Sequence, residues 1–345
     1  MHDPGEALTW ECLNWTDSSM PGSIDLAPMK LAVLFLSCLL PCGLALAQAY
    51  PSRPVKLVTP FPPGGSADVI ARLTAAKLGE GLGQPVIVDN RPGAGGMVGN
   101  DYAAKQPPDG YTLLLITGAY PVQAAMLKSQ PFDPLADIAM VSMLTTYPFV
   151  ISVRPDSPLE TVGDLVAAAK ANPGKLNYPS SGIGTVHHLS GELFNAMAGT
   201  ELVHVPFRGG SGPLTEVLGG RADVLFEAMT LSIGQVHSGK LRALAVTSRG
   251  RWKALPEVPT VNETLPGYEV ISFIALGATG GTPAPIIERL NAEVRKALDS
   301  ADGSKRFVDL GGEPRASSPA ELKTFIERET AKWREVIAQR KIERQ

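Results

Sequence analysis

From Pro54 onward, short β-branched apolar runs alternate with segments whose apolar residues recur every three or four positions. Val55–Thr59 is the first such run and predicts a strand. In Ser66–Leu78, Val69, Ile70, Leu73 and Ala76 share one helical face, and Gly79 and Gly81 close it. Val86–Val88 predicts the next strand, and the glycine loop Pro92–Gly99 leads into a short helix over Asn100–Lys105. The turn Pro107–Gly110 introduces a fully apolar strand, Tyr111–Ile116. This order predicts an α/β fold, a parallel sheet with helices on both faces.

The pattern restarts further on. Thr161–Lys170 reads as a helix capped by Thr161, Leu176–Pro179 as a strand, and Val186–Met197 as a helix. Leu202–Val205, Ala222–Phe226 and Leu241–Thr247 read as strands, separated by helices at Ser211–Leu218 and Leu231–Ser238. Two stretches look like connections between the units: the extended run Met143–Val153 and the proline-rich run Leu255–Phe273. Helices at Pro285–Leu298 and Pro319–Ile337 follow, the last anchored by Phe325, Trp333 and Ile337. Two crossings return the chain to its first unit. The expected division is residues 50–150 with 270–345 as lobe 1, and 151–269 as lobe 2.

The first 49 residues change this picture. Leu31–Leu46 is an apolar run after Lys30, and it ends in Ala47-Gln48-Ala49 before Tyr50. That is the layout of a secretory signal peptide, so cleavage near Ala49 and a periplasmic mature protein are expected. The run falls short of the ~20 residues of a membrane span and is broken by Pro41. Residues 1–28 hold five acids and no Lys or Arg, contrary to a basic leader, which points to a true start at Met29. Of the 31 basic and 34 acidic residues in the chain, one and five precede Tyr50, leaving 30 and 29 and a net charge of +1. No basic footprint for nucleic acid remains. Cys12, Cys38 and Cys42 all precede the cut, so no disulfide or cysteine metal site is expected afterwards.

Three loops share one design, in which a strand passes through glycine and small polar residues into a helix. They are Pro60–Asp68, with Pro63, Gly64, Gly65 and Ser66; Pro92–Met97, with Gly95 and Gly96; and Ser180–Thr185, with Ser180, Ser181, Gly184 and Thr185. In open α/β sheets ligands bind beyond the carboxyl ends of the strands. Glycine admits close backbone approach, and a helix start adds unpaired N–H groups and positive potential. None of the three loops contains Lys or Arg. Any one of them is equally well a tight turn; three alike point to a shared anion site. One helix end contributes about 0.3–1 kcal/mol. Micromolar binding needs about 8 kcal/mol. Hydrogen bonds, direct or through water, must therefore carry much of the affinity.

Other chemistries find less support. Gly93-x-Gly95-Gly96-x-x-Gly99 is not the dinucleotide fingerprint, and no phosphate-binding loop occurs. No nucleophile elbow or zinc-protease helix is present, so no catalytic residue, cofactor or metal is expected. His187 and His188 diverge on a helix; His188, close behind its glycine loop, is the better ligand candidate. Arg208 and Gly209, Thr117 at a strand end, and Tyr147 on the first crossing complete the candidate set.

Together these residues resemble the Bug (TctC-like) family, the extracytoplasmic receptors of tripartite tricarboxylate transporters. The marks run in order through YPSRPVKLVTPFPPGGSADVIAR, VDNRPGAGGMVGN, QPPDGYTLL, GTVHHLSGELF, HVPFRGG, LGGRADVLF, GKLRALAVTS, GTPAPIIERLN and AKWREVI. The resemblance implies the class II periplasmic-binding-protein fold, with two doubly wound lobes joined by two crossing strands. It implies a monomer that captures a small carboxylate-bearing solute by closure and delivers it to membrane permease subunits. Signalling to a membrane sensor kinase is the alternative, and an exported hydrolase a more distant one. The sequence departs from the family pattern at Ser272–Gly280, which lacks the usual aromatics, and after the Ala222–Phe226 strand, where many members carry an Asp near the cleft and this chain reads Phe226-Glu227-Ala228-Met229-Thr230.

Overall fold

Val55–Thr59 (β1) is buried at four of its five positions. A run buried on both faces belongs inside a sheet. In the computed structural model β1 lies between β2 (Val86–Asn90) and β3 (Thr112–Thr117), parallel to both. The structure describes residues 50–339 and 342–344. The signal peptide and its cut, the Met29 start and the three cysteines lie outside the described residues. From Tyr50 onward the chain forms one unit.

The sheet is not wholly parallel. β3 pairs antiparallel with β9 (Ile271–Thr279), and β9 pairs antiparallel with β4 (Ile138–Val153). The short β10 (Glu313–Pro314) edges β4. β4 begins five residues before the expected Met143, and its 16 residues serve two neighbourhoods. Ile138–Pro148 pairs with β9, while Phe149–Val153 pairs with β7 (Leu225–Ala228) and β8 (Arg242–Val246). At ~3.3 Å per residue such a strand extends roughly 50 Å, enough to span both. β5 (Asn177–Ser180) and β6 (Val203–Pro206) form a separate parallel pair. β9, which starts only as the proline-rich run Leu255–Phe273 ends, pairs with β3 and the first part of β4 alone.

The helices are α1 (Ser66–Leu82), α2 (Met97–Ala104), α3 (Ala119–Met126), α4 (Val162–Ala171), α5 (Val186–Ala198), α6 (Gly212–Leu218), α7 (Met229–His237), α8 (Ala284–Asp299), α9 (Ala301–Asp309) and α10 (Pro319–Gln339). α1 runs past the expected stop at Gly79 and ends where Gly83, at φ 68°, donates to the Gly79 carbonyl. Gly81 lies under the Glu293 carboxylate of α8, where a side chain would collide. α3 carries no periodic signal, and α9, though amphipathic, is short and mostly exposed. All eight residues of α3 are buried, and only Gly303 and Phe307 are buried in α9.

Candidate functional site

Strands β1, β3, β5 and β7 each lead into a helix, and the four junctions meet. Gly65–Ala67, Thr117–Ala119, Thr185–His187 and Glu227–Ala228 line one cavity of about 60 Å³. Tyr147 and Phe149 of β4 and Ser272 and Ile274 of β9 also line it. The starts of α1, α3 and α7 have no side-chain cap. Their first-turn N–H groups and positive dipole ends therefore favour an anion here. No lysine or arginine is among the described residues lining this cavity.

Tyr147 is buried, and burial pushes its pKa up to about 12 against the opposing pull of Ser66 and Ser272 nearby. It is a neutral hydrogen-bonding group at ordinary pH. The Ser66 hydroxyl meets that of Thr230 at the start of α7. On the opposite wall a side-chain chain runs through three residues. Ser181 Oγ lies 2.8 Å from His187 Nδ1, and His187 Nε2 lies 2.8 Å from Glu227 Oε1. The imidazole packs edge-on against Phe149, with centroids 4.7 Å apart.

A wider outer cleft adjoins the cavity. Gly95, Gly96, Ser181, Gly184, Arg208 and Gly209 line it together with Gln123. Gln123 Nε2 donates to the Gly95 carbonyl at 2.5 Å and so fixes the second glycine loop. Facing backbones nearly touch. A Cβ on Gly65 would lie 3.2 Å from Gly210 Cα, one on Gly209 2.9 Å from Pro62 Cδ, and one on Gly95 3.0 Å from the Ile183 carbonyl oxygen.

The candidate residues sort accordingly. Gly65, Ser66, Thr117, Tyr147, Ser181 and Thr185 line the inner cavity. Gly95, Gly96, Gly184, Arg208 and Gly209 line the outer cleft, where Arg208 is exposed. Pro63 and Gly64 are exposed outside both; Gly64 instead donates to Asp68. Ser180 and His188 lie behind the loop. Ser180 is fully buried and bonds His204 Nε2 at 2.5 Å, while His188 stacks on His204 at 4.2 Å. The cavity histidine is thus His187, not His188. Consecutive helix positions are turned by about 100°, and Thr185 capping the backbone N–H of His188 sets which of the two faces inward. Glu227 was legible only as a lone acid ending an apolar strand.

Comparison with known proteins gives a consistent result. The model of the family described as "Tripartite tricarboxylate transporter family receptor" matches residues 70–342. Protein BugT of Bordetella pertussis is 37% identical over 294 residues, covering 84% of this chain and 90% of BugT. An R. palustris protein solved with adipate is 36% identical, with a TM-score of 0.82 over 84% of this chain and 98% of that one. MatC from Rhodopseudomonas palustris with bound malate is 31% identical, with a TM-score of 0.79 over 84% of this chain and the whole of MatC.

Proposed function

We propose, from the premise that this chain belongs to the tripartite tricarboxylate transporter receptor family, that it is an extracytoplasmic receptor holding a small carboxylate in the inner cavity. The carrying observation is the convergence of uncapped helix starts on a chamber lined by no Lys or Arg. Peptide dipoles and hydroxyls can hold an anion there without a fixed cation. Solved relatives that hold adipate and malate support the ligand class.

Capture is by closure. Residues 50–150 with 270–345 form one lobe and 151–269 the other, hinged on β4 and β9. Ligand shifts the open–closed balance by its greater affinity for the closed form. Gly65, Ser66 and Thr117 grip the carboxylate, and Ser181, Thr185 and His187 read the other end. The closed form is handed to permease subunits in the membrane, after export and cleavage near Ala49. Thermal-shift screening of the exported protein against mono- and dicarboxylates, aromatic acids and sugars tests this. Stabilisation by carboxylates is expected; stabilisation by sugars alone refutes it.

A second reading rests on the Ser181–His187–Glu227 chain, since those are the groups of an acyl-transfer nucleophile. It expects turnover of chromogenic esters that is lost in Ser181→Ala, whereas a receptor gives none.

A further inference from the structure

We propose that Glu227 makes this receptor prefer carboxylates whose far end bears a hydrogen-bond donor, hydroxyl or ammonium, over those ending in a second carboxylate. The inference rests on the receptor reading and names its ligand class more closely. Glu227 is 1% exposed and lies in the cavity wall. Its Oε1 accepts the Ala228 N–H at 2.8 Å and faces His187 Nε2 at 2.8 Å. Its Oε2 is buried and has no partner among the described residues. Buried acceptors in folded proteins are nearly always satisfied, so a donor brought by the solute is the natural occupant.

The neighbouring groups reinforce this polarity. A carboxylate can only accept, so Glu227 assigns the His187 proton to Nε2. In the neutral ring Nδ1 then accepts from Ser181, 2.8 Å away, which leaves the serine oxygen free to accept. This wall therefore presents acceptors at Glu227 and Ser181, while the starts of α1 and α3 present N–H donors. With no Lys or Arg among the lining residues, a second ligand carboxylate set against Glu227 would meet a like charge that the α7 helix start alone offsets. A hydroxyl or ammonium there completes the network.

Calorimetry on the protein purified from the periplasm tests the preference with two matched series. The four-carbon series is butyrate, 4-hydroxybutyrate, 4-aminobutyrate and succinate; the six-carbon series is hexanoate, 6-hydroxyhexanoate, 6-aminohexanoate and adipate. In the series that fits, a donor-bearing acid is expected to bind about ten-fold tighter than its dicarboxylate. Whether the hydroxy or the amino acid leads tells a neutral donor from a cationic one. Glu227→Gln, close in size, is expected to shrink the gap to about two-fold, and its ligand-free melting temperature reports its folding. The wild-type ranking decides even if that variant is unstable. Dicarboxylate binding as tight as or tighter than both donor acids overturns the proposal. So does binding by none of the eight, and the separate carboxylate panel then tells whether the receptor reading fails with it.

Discussion

Gly65→Val is expected to hold the crevice open. Gly65 sits at φ −89° and ψ 172°, an extended conformation that valine adopts freely, so the backbone is not the obstacle. The obstacle is Gly210, whose Cα lies 3.2 Å from the first added carbon, before valine's two methyl groups are counted. Overpacking of this kind costs about 1–3 kcal/mol. That cost falls only on the state in which the two loops meet. Since affinity scales with the population of the binding-competent state, the dissociation constant should rise roughly 5- to 150-fold. Replacing glycine by valine at a helix cap weakens α1 by up to ~1 kcal/mol in both states, so overall stability falls only modestly. Calorimetry with the tightest carboxylate from the thermal-shift panel measures the first effect. X-ray scattering at saturating ligand measures the second, as a radius of gyration that stays larger than in the wild type. Unchanged affinity and unchanged scattering would refute the reasoning.

Three further outcomes follow from the structure. Tyr178 is fully buried and its hydroxyl donates to Glu192 at 2.7 Å, so Tyr178→Phe should lower stability by about 1–2 kcal/mol in denaturant melts. Burial first, then the charge of His188, holds His204 down at about 3, and burial lowers His188 as well. Unfolded histidine titrates near ~6.5, so below that the unfolded chain binds protons the folded one does not, and stability should drop as pH falls from about 6.5 toward 3. His204→Asn should flatten that part of the melting-temperature profile; an unchanged slope contradicts the assignment. Thr161 and Asp164 cap α4 reciprocally at 3.0 and 2.9 Å, so Thr161→Ala should cost about 1 kcal/mol with ligand affinity unaltered.

Much of the architecture could be read from periodicity, because the apolar runs of β1 and β3 contrast with helices such as α1 and α5 that bury one face. The glycine loops were legible because glycine and small polar residues between a strand and a helix mark a tight turn with free backbone N–H groups, and two of the three do line the inner cavity. What stayed hidden depends on packing between distant segments. α3 is buried all round and offers no face to detect. The choice between His187 and His188 hangs on a single cap at Thr185. Thr117, read alone at a strand end, turns out to open a fourth helix start, Thr117–Ala119, at the same cavity. Glu227 joins His187 only because β7 packs against α5, a contact across 40 residues that local pattern does not encode.

The most direct measurement is a crystal structure of the exported protein with its tightest carboxylate bound. The expected result is a carboxylate hydrogen-bonded to backbone N–H groups or ordered waters at Gly65–Ala67 and Thr117–Ala119, with no lysine or arginine in contact. A carboxylate found instead against Arg208 in the outer cleft, paired with its guanidinium, would contradict it.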